Sequence, residues 1–333
     1  MQKSLTRVLL ENLGPLAVAL VIPIVFSAMG FPFGITISIF IMLSIIIASG
    51  MDILFGYSGQ MSMGHAGFYA IGAYGSALIS IHFGVPVILS LLISPVLAAA
   101  IGALLALPAA KLRFHFLALA TIAFGQIVFQ LVLQSPGGIT GDAIGMRVPR
   151  LELFGIRLDM MGDLNATYYF VLFAVVIMLV AKTNIVRSRV GRALLAIREN
   201  PHAADGMGIN VRKYKIIAFA VSAFFVALAG SIFAHIVGWI SPDGFRDTQS
   251  VLFVTMLLLG GTASKWGPVV GAGVIIILQE QLRPLANIAV LIYGCILLFV
   301  IWLMPGGIVG TVQSLFTWLR KSRKVQEQEK GGK

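Results

Sequence analysis

The sequence is poor in charged residues, and poorest in acidic ones. Only 11% of its 333 residues are charged, and 13 Asp and Glu stand against 24 Lys and Arg, which gives a formal net charge of +11. A soluble domain carries about 25% charged residues. Together with a hydrophobic content of 58%, this composition excludes a disordered chain and an ordinary soluble enzyme. It predicts a polytopic membrane protein.

Motifs that carry chemistry are also missing. Cys295 is the single cysteine, so an intrachain disulfide is excluded, and the five histidines lack the spacing of metal ligands. The sequence contains no phosphate-binding loop, no G-x-S-x-G nucleophile turn and no H-E-x-x-H motif. We therefore predict a chain that is not an enzyme, with no catalytic residue, no metal site and no cofactor of its own.

Long apolar windows are what the sequence has in abundance. A bilayer core needs about 20 mostly apolar residues per helix. Ten windows meet this need approximately: 14–32, 35–53, 67–83, 85–108, 114–134, 166–182, 216–240, 249–263, 267–283 and 285–304. The eighth and ninth meet at a cluster of Gly and Pro and are also compatible with one broken helical hairpin. The predicted fold is an all-α polytopic membrane protein with about ten transmembrane helices, and no fewer than eight.

The distribution of basic residues predicts the orientation. An even number of spans places both termini on one side, and if that side is cytoplasmic, 19 basic residues lie inside and 5 outside, as the positive-inside rule requires. The +11 charge is then a topology signal, although in a soluble domain it would suggest nucleic acid. The predicted parts are an N-terminal tail at 1–13, a transmembrane domain at 14–304 and a C-terminal tail at 305–333. Within the domain, an outer loop covers 135–165 and a cytoplasmic loop covers 183–215.

Small residues recur at helical spacing in three of the windows. Such faces let helix backbones approach closely in lipid. We expect tight packing from them, in preference to a direct role in substrate binding. The stripes comprise Ala66, Ala70, Ala73 and Ala77; Ala98, Gly102 and Ala106; and Ala220, Ala223, Ala227 and Ala234.

The segment 52–67 combines glycines with polar side chains in an otherwise apolar region. Four glycines make a continuous helix costly there. Two interpretations are equally open. In the first, the segment lies at membrane depth and lines a pathway, where irregular backbone is tolerated. In the second, the segment is a cytoplasmic loop. The residues concerned are Gly56, Tyr57, Ser58, Gly59, Gln60, Ser62, Gly64, His65 and Gly67.

Gln126, Gln130 and Gln134 form a polar stripe on the fifth window, spaced by four residues. Because amides that face lipid are costly, we expect the stripe to point into the bundle. There it would line a pathway or, as we favour, form hydrogen bonds between helices. Asp52 and Glu280 lie at the ends of windows. We therefore expect no buried carboxylate relay of the kind a proton-driven transporter needs.

The loop 182–215 carries eight basic residues. Asn200 is a typical helix cap, Pro201 suits the first helical position, Asp205 would complement the dipole of the first turn and Gly206 would end the helix. We predict a short helix at about 201–205. The apolar run 193–197 would lie against the membrane. In the simplest interpretation, the basic residues only anchor the loop to anionic lipid.

This loop also carries a resemblance. His202-Ala-Ala-Asp-Gly-Met-Gly208 resembles the E-A-A-x-x-x-G coupling signature of ABC importer permeases, with His202 in place of the usual Glu, although the later Ile and Leu-Pro portion of the signature has no clear match. The segments 191–201, 207–210, 56–68 and 259–268 are similar to the permeases of branched-chain amino acid type ABC importers.

Further motifs separate the two permease types of such importers. Leu112-Arg113, the run Leu117-Ala-Leu-Ala-Thr-Ile-Ala-Phe-Gly-Gln126 and the outer-loop glycines at 137–141 resemble the M-type subunit, not its H-type partner. His115 departs from the small residue expected there, which puts only local packing in doubt. The resemblance covers about residues 35–305.

The resemblance implies a function and partners. The chain would be a multi-pass permease of the bacterial inner membrane that translocates leucine, isoleucine or valine delivered by a periplasmic binding protein. It would pair with an H-type permease and with two cytoplasmic ATPases that bind ATP and Mg. Membrane lipid would surround it, and no nucleic acid would bind.

Site residues follow from the same resemblance. It assigns coupling to the ATPases to Arg198, Glu199, Asn200, Pro201, His202, Ala203, Ala204, Asp205, Gly206 and Gly208. A substrate pathway would involve Tyr57, Ser58, Gln60, Gln126 and Gln130. Three alternatives stay open: a sister importer for urea or short-chain amides, a secondary transporter or channel without ATPases, and a membrane enzyme that acts on lipid, which the missing motifs disfavour.

Overall fold

The computed structural model of the chain describes residues 5–109, 114–153, 155–283, 286–303, 306–312 and 314. It is a bundle of α-helices, and each of the ten apolar windows holds one. The helices are α1 (Leu5–Ala28), α2 (Pro32–Met51), α3 (His65–Phe83), α4 (Val87–Ala109), α5 (Phe114–Gln134), α6 (Leu164–Arg187), α7 (Arg189–Glu199), α8 (Pro201–Gly206), α9 (Val211–Val237), α10 (Asp247–Gly260), α11 (Gly267–Leu282) and α12 (Ala286–Leu303). The apolar windows therefore located ten of these helices, and only α7 and α8 lie outside them.

Short irregular elements complete the fold. A π-helical turn, Asp52–Tyr57, extends α2, and 3-10 turns cover Pro136–Gly138, Asp142–Ile144 and Pro242–Phe245. Four two-residue strands form two antiparallel ladders: β1 (Met146–Arg147) pairs with β4 (Trp239–Ile240), and β2 (Glu152–Leu153) pairs with β3 (Ile156–Arg157).

Among the described residues, five helical segments are long and apolar enough to cross a bilayer, by length and composition. They are Pro32–Tyr57, Val87–Pro108, Phe116–Gln134, Leu164–Arg187 and Val211–Val237. The chain is thus a polytopic helical membrane protein. α10 and α11 have only 14 and 16 residues and are separated by the turn at 261–266, so they form the broken hairpin that the Gly and Pro cluster allowed. α1 begins at Leu5, inside the predicted N-terminal tail.

Small residues hold the centre of the bundle together, as predicted. A Cβ atom added to Gly72 on α3 would overlap the backbone of Ala227 on α9, and one added to Gly230 on α9 would overlap the carbonyl of Tyr69. On α4, a Cβ at Gly102 would lie 2.8 Å from the Cβ of Ala223. The backbones of α3, α4 and α9 therefore touch directly, which the weak hydrophobic drive between helices in lipid makes necessary.

The loops collect at the two ends of the bundle. Loops 135–163 and 238–246 meet where Met146 pairs with Ile240, and we name this end the sheet face. Segments 52–64, 188–210 and 261–266 meet at the other end, which we name the basic face. The loops that the predicted topology places on one side of the membrane thus lie together.

Candidate functional site

The capped helix predicted in the basic loop is present as α8. The Asn200 side chain precedes Pro201 and accepts hydrogen bonds from the backbone N–H groups of His202 (3.0 Å) and Ala203 (3.1 Å). The helix ends at Gly206, as predicted, and the left-handed residue beyond it is Gly208 (φ +81°). One detail of the prediction is wrong: Asp205 lies in the last turn of α8, not the first.

α8 projects from the basic face with little of its surface covered. Within it only Ala204 is buried, and Met207 just beyond is 83% exposed. An exposed Met is an adaptable apolar contact that suits a protein partner. The sequence analysis treated Met207 only as part of a motif and did not predict that its side chain would be exposed.

α7 is the helix that sequence reasoning missed. Ala193, Leu194 and Ile197 are buried against protein, so the expectation that the run 193–197 lies on the membrane is wrong. The spacing of Val190, Leu194 and Ile197 is helical and could have revealed the amphipathic helix. The Ser188 hydroxyl caps it by accepting from the Val190 N–H at 3.1 Å.

Arg198, at the end of α7, fastens this helix to the bundle. Its guanidinium donates a hydrogen bond to the carbonyl oxygen of Gly56, in the π-helical turn after α2. Just beyond that turn, the Gln60 amide donates to the Ser58 hydroxyl (2.8 Å) and to the backbone oxygen of Lys215 on α9 (3.2 Å). The segment 56–60 therefore joins α7 to both α2 and α9.

A buried ion pair lies directly behind this contact. Asp52 and Lys182 approach to 2.8 Å, with side-chain exposures of 0% and 5%. The second carboxylate oxygen of Asp52 accepts from the Ala263 N–H at 2.7 Å, and the Lys182 ammonium also donates to the Ser264 carbonyl at 3.2 Å. The pair ties together α2, α6 and the turn between α10 and α11, and we name these four residues the Asp52 cluster.

The ion pair corrects the expectation for Asp52. This carboxylate lies at the end of an apolar window, yet it is fully buried, because the turn 261–266 and the end of α6 close over it. Its bonded partners are the Lys182 ammonium and the backbone N–H of Ala263. Among the described residues no second carboxylate joins it, so the geometry is that of a structural pair and not of a proton relay.

The residues predicted to line a pathway fall into two separate groups. Tyr57, Ser58 and Gln60 are buried at the basic face; the Tyr57 hydroxyl donates to the Ala263 carbonyl at 3.2 Å and the Ser58 hydroxyl donates to the Leu54 carbonyl at 2.6 Å. Protein buries most of this irregular backbone at one end of the bundle, and both interpretations of the segment 52–67 are compatible with that burial.

The second group is the glutamine stripe on α5. The side chains of Gln126, Gln130 and Gln134 are exposed, so the expectation that they point into the chain's own bundle is wrong. The Gln126 amide does donate to the carboxylate of Asp247 on α10, which is a hydrogen bond between helices of the kind predicted.

Charged side chains extend this exposed polar surface. The Arg246 guanidinium pairs with Asp243 at 2.7 Å and lies over the ring of Phe129 on α5, 5.9 Å from its centroid. We name Gln126, Gln130, Asp243, Arg246 and Asp247 the α5–α10 strip. Polar groups that face lipid are costly, so the strip is suited to border another protein chain or a water-filled space.

α10 begins at membrane depth beside this strip. Asp247, its first residue, contacts Gln126, which lies eight residues before the end of α5, or about 12 Å along the helix. Discontinuous helices that start inside the bilayer are a common feature of substrate sites in transporters.

The sequence matches the family of branched-chain amino acid transport system permease components over residues 33–301. The high-affinity branched-chain amino acid transport system permease protein LivM of Escherichia coli K12 is 31% identical over 289 residues, which cover 80% of this chain and 68% of that protein. The corresponding LivH protein of Salmonella typhimurium is 25% identical over 284 residues, covering 80% and 90%. The higher identity to LivM agrees with the resemblance to the M-type subunit.

The relatives extend beyond amino acid transport. The guanosine ABC transporter permease protein NupQ of Bacillus subtilis is 25% identical over 233 residues, which cover 65% of this chain and 70% of that protein. No solved structure matches the chain.

Proposed function

Because this chain belongs to the branched-chain amino acid transport system permease family, we propose that it is the M-type permease subunit of an ABC importer for leucine, isoleucine and valine. The observation that carries this proposal is the exposed, capped helix α8, which is joined through α7 and Arg198 to the membrane bundle. A chain without a phosphate-binding loop needs ATP hydrolysis from partners, and α8 offers them a surface. A periplasmic binding protein would deliver the substrate to the sheet face.

In this proposal the helices α1 to α6 and α9 to α12 make ten membrane crossings, with the short α10 and α11 as a paired hairpin. The basic face, both termini and the two ATPases lie on the cytoplasmic side of the bacterial inner membrane. Support comes from the positive-inside distribution and from the clustering of the basic loops at one end of the bundle.

Coupling proceeds from the ATPases to the bundle in two steps. ATP and Mg bind to the two ATPase subunits, whose closure moves α8. The stretch Arg198 to Gly208 transmits this motion, first through the hydrogen bond from Arg198 to Gly56 and then through the Asp52 cluster. Since the cluster touches α2, α6 and the α10–α11 turn, a displacement of α7 reaches three parts of the bundle at once.

The α5–α10 strip faces the H-type permease, and Gln126 and Gln130 line the pathway between the two subunits. Its polar groups then border water and protein, which removes the cost of exposing them to lipid. The cytoplasmic end of the pathway is formed by Tyr57, Ser58 and Gln60, and it opens when the segment 56–64 shifts with α7.

Reconstitution tests this proposal. The chain, the H-type permease and the two ATPases are incorporated into proteoliposomes, and ATP hydrolysis and leucine uptake are measured with and without the binding protein. We expect hydrolysis that the binding protein stimulates, together with uptake. Uptake by this chain alone, driven by an ion gradient, would instead support a secondary transporter.

The substrate is tested separately, on the binding protein. We expect leucine, isoleucine and valine to bind it and to compete for uptake. The relationship to NupQ makes guanosine the second candidate, and urea and short amides complete the screen. Binding of one of these in place of the amino acids would change the substrate and leave the permease assignment intact.

A further inference from the structure

A groove on the membrane-facing side of the chain lies apart from the α5–α10 strip. It is a cavity of about 400 Å³ over α2, flanked by α6 and by the start of α11, with α1 at one end, and it shares no residue with the strip. Ligand cavities in proteins have volumes of about 300–1,000 Å³. The size is therefore sufficient for a ligand and not only for water.

The groove is lined mostly by apolar side chains, and α1 borders its sheet-face end. Its walls include Ile22, Met42, Ile45, Leu172 and Val176. At the far end the Tyr168 hydroxyl donates a 2.7 Å hydrogen bond to the Ala19 carbonyl, which joins α6 to α1. From Tyr168 to Arg187 the groove follows α6 over most of the helix, or about 28 Å, which is close to the ~30 Å hydrocarbon core.

The opposite end of the groove is cationic. Lys182, Arg187 and Lys265 are part of its lining, and the described residues of the lining include no acidic side chain. Lys182 is paired with Asp52, Arg187 at the end of α6 is exposed, and Lys265 is half-buried. The groove thus has an apolar interior and a basic mouth.

Trp266 places this mouth at the level of the lipid headgroups. Its ring lies 5.6 Å from the ammonium of Lys265, and both side chains are half-buried. Trp is enriched at the interface between membrane and water because its ring is apolar and its indole N–H needs a polar partner. A headgroup phosphate at the mouth would meet the Lys265 ammonium, the Arg187 guanidinium and this N–H.

We propose that this groove is a binding site for an anionic phospholipid, with an acyl chain between α2 and α6 and the headgroup phosphate at Arg187 and Lys265. The site goes beyond the transport function and does not depend on the identity of the transported substrate. It is distinct from a general attraction of the basic loop to the membrane, because it requires both the basic mouth and the open apolar interior.

A phospholipid in the groove would contact both α6 and the α10–α11 turn, which the Asp52 cluster joins from the inside of the bundle. Lys182 and Ser264 belong to the Asp52 cluster, and Lys265 and Thr183, which follow them in sequence, line the groove. A bound phospholipid would therefore brace α6 against the α10–α11 turn from the membrane side.

Native mass spectrometry of the purified permease pair tests the proposal, with phosphatidylglycerol and phosphatidylcholine as probes. We expect retention of one phosphatidylglycerol and little phosphatidylcholine. The double substitution Arg187→Gln with Lys265→Gln should weaken phosphatidylglycerol binding about 30-fold, since each basic residue near an anionic lipid contributes about a factor of five. The matched control, Arg212→Gln with Lys213→Gln, removes the same charge from the exposed start of α9, outside the groove, and should retain the lipid.

A second variant tests the interior without changing charge. Val176→Trp places a large side chain in the groove and should also release phosphatidylglycerol, while the variant still assembles with the H-type permease. Equal losses in both charge variants would indicate only general electrostatic attraction and would overturn the site. Failure of Val176→Trp to assemble, with no lipid retained by the wild-type pair, would show that a helix of the partner fills the groove, and would also overturn it.

Discussion

The two ends of the bundle are held together in different ways. At the sheet face the contacts are mostly made by backbone: β1 pairs with β4, the Val148 N–H donates to the Gly238 carbonyl at 3.0 Å, and the Met160 N–H donates to the Ile236 carbonyl at 3.1 Å. At the basic face the connections are made by single side chains, charged ones from Arg198, Asp52 and Lys182 and neutral ones from Tyr57 and Gln60.

This difference shows where the molecule can transmit motion. A backbone ladder tolerates the loss of any one side chain, and it keeps two loops in a fixed register. A contact made by one guanidinium or one ammonium breaks completely when that side chain moves or is replaced. We therefore expect the contacts of the basic face to rearrange during transport, and those of the sheet face to stay fixed.

The largest effect is expected from Lys182→Met. It leaves the Asp52 carboxylate buried without its cation, and such a loss costs about 3–5 kcal/mol. Thermal unfolding of the purified chain in detergent measures it. The double variant Asp52→Asn with Lys182→Met removes both charges and should recover most of the loss. A cost for Lys182→Met close to that of Arg157→Gln, whose pair with Glu152 is exposed and worth about 0–1 kcal/mol, would contradict the comparison.

Arg198→Ala should reduce the coupling of transport to ATP hydrolysis without unfolding the sheet face. A hydrogen bond from a charged donor is worth about 1.5–3 kcal/mol, so we expect leucine transport per ATP hydrolysed to fall about tenfold or more while hydrolysis continues. Arg192→Ala is the matched control on the same helix, because its guanidinium donates to the nearby carbonyl of Arg187 and, within the described part of the chain, to no other element. Equal coupling in the two variants would remove Arg198 from the route.

His235→Ala tests the sheet face. His235 bonds the Ser76 hydroxyl (2.7 Å) and the Pro149 carbonyl (2.6 Å), and it is buried between α3 and the outer loop. Its loss should cost about 1–3 kcal/mol in thermal unfolding. The ratio of transport to hydrolysis should stay unchanged, and a fall like that of Arg198→Ala would show that both ends carry the coupling.

Asn200→Ala should give the smallest effect. It removes the cap of α8 at a cost of about 1 kcal/mol, so the helix frays and coupling declines severalfold. Asn200→Ser keeps a capping oxygen and should behave as wild type. Identical transport ratios for the two variants would mean that α8 docks without being preformed.

The sequence reveals those parts of the molecule that depend on local pattern. Apolar windows gave the ten helices, small-residue spacing gave the close approach of α3, α4 and α9, and Asn200 with Pro201 gave the start of α8. Each of these features is decided by residues within a few turns of one another.

The parts that the sequence did not reveal depend on distant partners. Asp52 is buried because residues 182 and 263 close over it, and no local pattern connects positions so far apart. The glutamine stripe points outward because α3 packs on the other side of α5. In the proposed assembly the H-type permease would cover these exposed polar side chains.

The π-helical turn at Asp52–Tyr57 has a consequence for the phase of the chain. A π-turn holds one more residue per hydrogen-bonded ring than an α-turn, so it fits an extra residue at the end of α2 without a break in the backbone. A helix continued through 52–57 at the α-helical 100° per residue would place Tyr57 about one residue out of phase with its position in this turn. At this point of the chain the number of residues, and not only their chemistry, determines that the Tyr57 hydroxyl reaches Ala263 and that the Gly56 carbonyl reaches Arg198.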